Sequence, residues 1–204
     1  MTDYTREYKG SKNNEGIPHG KGSNITRTFD GKINSIEEGK WENGYLVEGS
    51  HTFYFHNNDR KYFIKKEIGK WRYDKEKNFC EEDLSGEGQE LYYKDENDLK
   101  NNKPLGYIKG IFDNGTLLKG EVENAFKIDY SDHSFVKKII IKGKSKKNSN
   151  PEGFSTRINL GEIFFENGDH YEGEIDFDAP QGNGTMTFND GLKKTGKWKD
   201  GNYE

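Results

Sequence analysis

The feature that most constrains this chain is a glycine that keeps returning with a bulky apolar residue two positions later. Gly39-Lys40-Trp41, Gly69-Lys70-Trp71, Gly110-Ile111-Phe112 and Gly196-Lys197-Trp198 share it, and Gly173-Glu174-Ile175 carries an aliphatic in the aromatic's place. Glycine weakens a strand interior but lets another backbone or a ring approach closely. In a stack of similar units, glycine beside an aromatic lets the ring lie flat over the next unit. A recurring motif of this kind makes a repeat architecture the first reading to test.

Longer matches support it. Gly39-Lys-Trp-Glu-Asn-Gly44 precedes Gly49 as Gly110-Ile-Phe-Asp-Asn-Gly115 precedes Gly120, without a gap. Phe165-Glu-Asn-Gly168 leads into Tyr171-Glu-Gly-Glu174 as Phe188-Asn-Asp-Gly191 leads into Thr195-Gly-Lys-Trp198. Gly20-Lys-Gly22, Gly86-Glu-Gly88 and Gly182-Asn-Gly184 form a third matching set. Asp30-Gly31, Asn43-Gly44, Asn114-Gly115, Asn167-Gly168, Asp190-Gly191 and Asp200-Gly201 supply the positive-φ residues that two-residue hairpin turns demand. Short alternating runs lie between them, such as Glu162-Ile-Phe-Phe165, Thr185-Met-Thr-Phe188 and His51-Thr-Phe-Tyr-Phe55. Runs of this kind flanked by turn residues read as strands, and no helical stripe of three turns is found. The expected fold is all-β, one hairpin per unit.

The units are unequal. Taking starts at Gly10, Gly39, Gly69, Gly110, Gly143, Gly173 and Gly196, only the last interval, 23 residues, is compact. Tyr73 to Leu84, Lys94 to Pro104 and Lys146 to Pro151 read as extended turns or loops, which loop-closure entropy tolerates. Composition enters as a possible objection: 29% hydrophobic against 33% charged residues leans towards disorder. A net charge of only -4 and 14% aromatic residues oppose that, since each ring can bury roughly 150–250 Å². Twenty-five Gly against four Pro suits tight turns rather than a linker.

At this point the motifs resemble the MORN (membrane occupation and recognition nexus) repeat. Its pattern is roughly Y-x-G-x-W, then N-G, then H-G-x-G, then an aromatic before D-G. Tyr171-Glu-Gly173 with Gly182-Asn-Gly184 and Phe188-Asn-Asp-Gly191 follows that order. Tyr8-Lys-Gly10 with Pro18-His-Gly20-Lys-Gly22 matches its start, and Gly39-Lys-Trp41-Glu-Asn-Gly44 and Gly196-Lys-Trp198-Lys-Asp-Gly201 its centre. The repeat-forming residues on this reading include Tyr8, Gly10, Gly20, Gly22, Gly39, Trp41, Gly44, Gly69, Trp71, Gly110, Phe112, Gly115, Tyr171, Gly173, Gly182, Gly184, Gly196 and Trp198. The match is good at 8–49 and 161–201, and degenerate or interrupted at 50–160, within one array covering 1–204. The resemblance implies an elongated single antiparallel sheet of successive hairpins, curved or twisted, with aromatics lining a groove. It also implies a scaffold role in cilia, flagella or membrane-linked cytoskeleton.

Chemistry is hard to assemble from the sequence. None of His19, His51, His56, His133 and His170 has metal-ligand spacing, and turn or surface roles account for them. The single cysteine, Cys80, precedes Glu81-Glu82-Asp83, an acidic setting that disfavours the thiolate nucleophile, and a lone cysteine forms no internal disulfide. Gly143-Lys144-Ser145 imitates the end of a phosphate-binding loop, but Lys138 stands where its first glycine belongs. No catalytic residue, metal site or cofactor is expected.

One segment has a functional alternative. Lys137, Lys138, Lys142, Lys144, Lys146 and Lys147 surround three isoleucines. They could face anionic lipid or an acidic protein, or nucleic acid, which the overall acidic balance disfavours. The plain reading is a strand whose isoleucines enter the sheet while lysines protect an edge from aggregation. The N-terminus, Met1 to Glu7, lacks the apolar core of a signal peptide, and no stretch approaches the ~20 apolar residues of a membrane span. The function expected is that of a structural or docking protein with other protein subunits as partners. Self-association through the C-terminal edge belongs to that reading. The setting expected is cytoplasmic, at a cilium, axoneme or other cytoskeletal structure; a membrane-surface adaptor is the alternative.

Overall fold

The computed structural model describes residues 4–56, 64–77, 79–125, 136–144, 158–176 and 178–204. His133, Lys146, Lys147 and the expected loop from Lys146 to Pro151 lie outside these residues. The fold is all-β, and every strand pairing among the described residues is antiparallel. The packing divides the chain into two compact units, Met1–Thr116 and Leu117–Glu204.

The first unit comprises β1 (Thr5–Lys12), β2 (Pro18–Arg27), β3 (Ile33–Glu42), β4 (Tyr45–Tyr54), β5 (Ile64–Asp74), β6 (Phe79–Leu84), β7 (Gly86–Tyr93), α1 (Glu96–Lys100) and β8 (Gly106–Asp113). Neighbours follow chain order except around β5, whose first half pairs with β7 and whose last part pairs with β6. The second unit holds β9 (Thr116–Glu123), which starts at the boundary, then β10 (Val136–Lys144), β11 (Ile158–Phe165), β12 (His170–Asp176), β13 (Ala179–Thr187), β14 (Lys193–Lys199) and β15 (Asn202–Tyr203). From β9 to β15 each strand pairs with the next.

The recurring glycine has a register meaning. In the first unit Gly10, Gly22, Gly39 and Gly49 stand opposite one another on successive strands, and Gly88 stands opposite Gly110. Gly69 joins them, opposite Gly49 and beside Gly88. In the second unit the row runs Gly161, Gly173, Gly184, Gly196. Rings lie over it. A Cβ on Gly22 or Gly184 would collide with the ring of Tyr8 or Tyr171 respectively. Trp41 Nε1 donates to the Gly22 carbonyl at 3.1 Å, and Trp198 Nε1 to that of Gly184 at 3.2 Å. Each tryptophan meets its tyrosine edge to face, at 5.2 Å for Tyr8–Trp41 and 5.5 Å for Tyr171–Trp198. Over Gly69 and Gly88 the buried Leu84 takes the ring's place.

Four sequence expectations change. Gly143 is not in the row: Ile141 occupies the position opposite Gly120 and Gly161, and a bulge shifts Gly143 against Leu160. The six Asn-Gly and Asp-Gly pairs are not all two-residue turns. Asn43-Gly44, Asn114-Gly115 and Asp200-Gly201 have both residues at positive φ, as type I′ requires. At Gly31, Gly168 and Gly191 only the glycine does, closing three-residue turns with the amide of Gly31, for example, bonded to the Thr28 carbonyl at 2.9 Å. The segment Tyr73 to Leu84 is no open loop. It turns at Asp74, whose Oδ1 accepts from the amides of Glu76 and Lys77, and returns as β6. Lys94 to Pro104 contains the single turn α1, capped by Asp95 Oδ1 on the amides of Asn97 and Asp98.

Candidate functional site

A groove of about 760 Å³ opens on one face of the first unit's sheet. Its aromatic lining comes from Tyr8, Trp41, Tyr45, Phe53 and Trp71. The β6 arm closes one side, contributing Cys80 and Asp83; Cys80 Sγ lies 3.6 Å from the Leu46 carbonyl. Tyr73, opposite Cys80 beside the turn of that arm, packs on Tyr45 with centroids 5.7 Å apart and accepts from Asn43 Nδ2 at 2.9 Å. The insertion that interrupts the repeat spacing is therefore a wall of the groove.

The groove's polar content follows from register. Two positions from the glycine row, on the same face, stand Tyr8, Asn24, Glu37, His51, Glu67 and Glu90, each opposite the next. The corresponding row of the second unit is Val122, Ile139, Ile163, Tyr171 and Met186, all buried, and ends at the exposed Lys194. The same fold thus accommodates either an apolar or a polar row. The polar one is the costlier, because buried charges lose hydration that their partners must replace.

Replacement is incomplete. Lys65 Nζ lies 2.7 Å from Glu67 Oε1 and 3.3 Å from Glu90 Oε1. Glu90 Oε2 accepts from the Tyr92 hydroxyl at 2.8 Å. Glu67 is only 3% exposed, and its Oε2 has no hydrogen-bond partner among the described residues. Burial pushes its carboxyl above the usual range, partly offset by Lys65 and reinforced by Glu90 and Asp83. Burial pulls the Lys65 ammonium down, but Glu90 and Glu67 together outweigh it and hold it above its ordinary value. Glu37 accepts from Asn24 Nδ2 at 2.6 Å. Between the two acids, His51 packs on Phe53 at 3.8 Å and 30°. Burial, then the nearby Lys65 charge, lower its imidazole to about 4, so it is neutral at physiological pH.

Of the residues singled out from the sequence, Tyr8, Trp41, Gly44 and Trp71 line this groove. His51 is the one described histidine that does. His19 is exposed, His56 meets the Ile33 carbonyl at 2.8 Å, and His170 meets Glu162 at 2.8 Å while stacking on Phe164. The lysine-rich strand is elsewhere, in the second unit. Lys138 lies 2.7 Å from Glu121 and 3.9 Å from Glu123. Lys142 lies 2.8 Å from both Glu162 and Glu172, hydrogen bonds that raise its ammonium to about 12. Lys137 is exposed, and Lys144 ends β10. Among the described residues no three His, Cys, Asp or Glu side chains converge to hold a metal ion. Nor is any helix among them long and apolar enough to cross a membrane.

No protein-family model matches the chain, and no curated protein matches it. Its functional reading rests on the residues themselves. Glu37, Glu67 and Glu90 escaped sequence reasoning, yet the signal was present: they stand two residues from Gly39, Gly69 and Gly88.

Proposed function

We propose that this chain is a non-enzymatic scaffold of MORN-type hairpin repeats that docks into a larger protein assembly, at a cilium, axoneme or related cytoskeletal structure. The observation that carries the docking reading is the polar row of the first unit. It lines an open groove beside aromatic side chains, although the second unit's apolar row satisfies the same register at lower cost. A mixed aromatic and charged concavity suits a protein segment, with the aromatics supplying contact area and the charges fixing register.

The test is photo-crosslinking of the full chain in extracts of its source cells, with the reactive group at Tyr45 or Phe53. One defined partner segment cross-linked at both positions, and lost with Phe53→Arg, is the expected result. A monodisperse monomer at high concentration that cross-links to nothing from either position would remove the proposal.

The membrane-surface alternative draws less support. Lys138 and Lys142, which would have to face anionic headgroups, each sit against two carboxylates. Co-sedimentation with phosphatidylserine vesicles at low salt tests it directly.

A further inference from the structure

We propose that the groove of the first unit is an arginine receptor: an extended basic segment of a partner protein places a guanidinium on the His51–Phe53 ring pair, between the carboxylates of Glu37 and Glu67. This rests on the docking reading above and names what is recognised.

Charge is the first argument. In the polar row Glu67 and Glu90 share one ammonium, Lys65, while the groove's lining sets Arg6 and Lys65 against Glu37, Glu67 and Asp83, an excess of one carboxylate. After Lys65 and Tyr92 are satisfied, Glu67 Oε2 remains a buried acceptor without a donor among the described residues. Such an atom has lost its hydration without replacement, and an N–H from outside would supply the missing donor. Glu37 is bonded by a neutral amide, Asn24, and forms no ion pair with any described Lys, Arg or His.

Geometry is the second argument and selects arginine. Glu37 and Glu67 stand opposite His51 on the strands to either side, which separates their Cα atoms by about 10 Å at normal strand spacing. Between them lies a flat surface, the imidazole of His51 packed on the Phe53 ring. A guanidinium is planar, stacks on such a surface, and carries its donors in its own plane, where they reach acceptors on both sides. An ammonium has no face to stack and is more strongly hydrated. His51, being neutral, adds no positive charge to that of Lys65, whose Nζ lies 5.9 Å from the Phe53 ring centroid.

The experiment uses the full chain. A phage-displayed random nonapeptide library is selected on it, and the best binder is synthesised with fluorescein. Its arginine is then replaced by lysine and by citrulline, a neutral isostere. The proposal expects an arginine fixed at one position of the selected peptides. It expects citrulline to weaken binding about tenfold or more, as loss of a charged hydrogen bond implies, with lysine in between. Glu37→Gln and Glu67→Gln should each produce a similar loss on the arginine peptide and little on the citrulline one. Should Glu67→Gln fail to fold, as judged by its melting curve, the half-exposed Glu37 carries the same comparison. Selected peptides without a fixed arginine, binding equally to both variants, overturn the arginine receptor and leave docking at the groove standing. A selection that enriches nothing removes both.

Discussion

The Tyr171 ring lies over Gly184, fixed by its hydroxyl, which donates to the Glu174 carbonyl at 2.9 Å and also approaches that of Gln181 at 3.3 Å. Tyr171 is fully buried, so it cannot swing aside for a larger neighbour. Gly184→Ala should therefore destabilise the protein by about 2–3 kcal/mol through overpacking. Gly191→Ala is the comparison: its turn has φ +87 but nothing within 4 Å of an added Cβ, so backbone strain alone should cost about 1 kcal/mol. Urea denaturation of the two variants checks the order. Equal costs would mean that the ring does not press on the glycine.

Lys65 holds two carboxylates that burial would otherwise leave uncompensated. Lys65→Met should cost about 3–5 kcal/mol at neutral pH, the usual penalty for breaking a buried pair from one side. The cost should shrink on acidification, because the raised carboxyl of Glu67 then takes up a proton. Adding Glu67→Gln to Lys65→Met should recover part of the loss at neutral pH. Denaturation of the single and double variants at two pH values separates this from a simple loss of lysine packing, which would be independent of pH.

The repeat was legible because its glycines are demanded locally. Gly22 and Gly184 make room for a ring, and Gly44 and Gly201 take the positive φ of a type I′ turn. Each such demand is met by a residue type that stands out in the sequence. Gly161 was equally legible in principle, since Gly161-Glu-Ile163 repeats Gly173-Glu-Ile175. Gly143 misled because one bulge moves it off the row, and a bulge leaves no mark in composition. The groove was harder for a different reason. Asn24, Glu37, His51, Glu67 and Glu90 are ordinary surface residues when read one strand at a time. Only pairing across five strands brings them into one row. The wall made by Cys80 and Asp83 reads as loop in the sequence because β6 adds to only the last part of β5, whose first part pairs with β7 in the repeat.

The lysine-rich strand gives a prediction of opposite kind. Lys142 is engaged by Glu162 and Glu172, so the intact protein should sediment weakly with phosphatidylserine vesicles at physiological salt. Glu162→Gln combined with Glu172→Gln frees that ammonium and should raise the bound fraction, an increase abolished by Lys142→Gln. Strong binding by the unaltered protein, lost with Lys142→Gln, would show instead that the lipid outcompetes both carboxylates.

His51 gives the groove its pH dependence. Its imidazole is lowered to about 4 from an ordinary 6.5, first by burial and then by Lys65. The folded state thus binds this proton less readily than the unfolded chain. Stability from that source is fully present above pH 6.5 and is lost as pH falls from there towards 4. Glu67 runs the other way: its raised carboxyl takes up a proton earlier in the folded state, so its burial cost eases as pH falls through the carboxylate range. Replacing His51 by Gln should remove the first effect and keep the second. Between pH 6.5 and 4 the unaltered protein should lose on the order of 2–3 kcal/mol relative to the variant. NMR titration of the His51 ring should place its midpoint near the lower end of that window. A midpoint close to 6.5 would mean that the ring is solvated, and the flat neutral platform between Glu37 and Glu67 would then not exist.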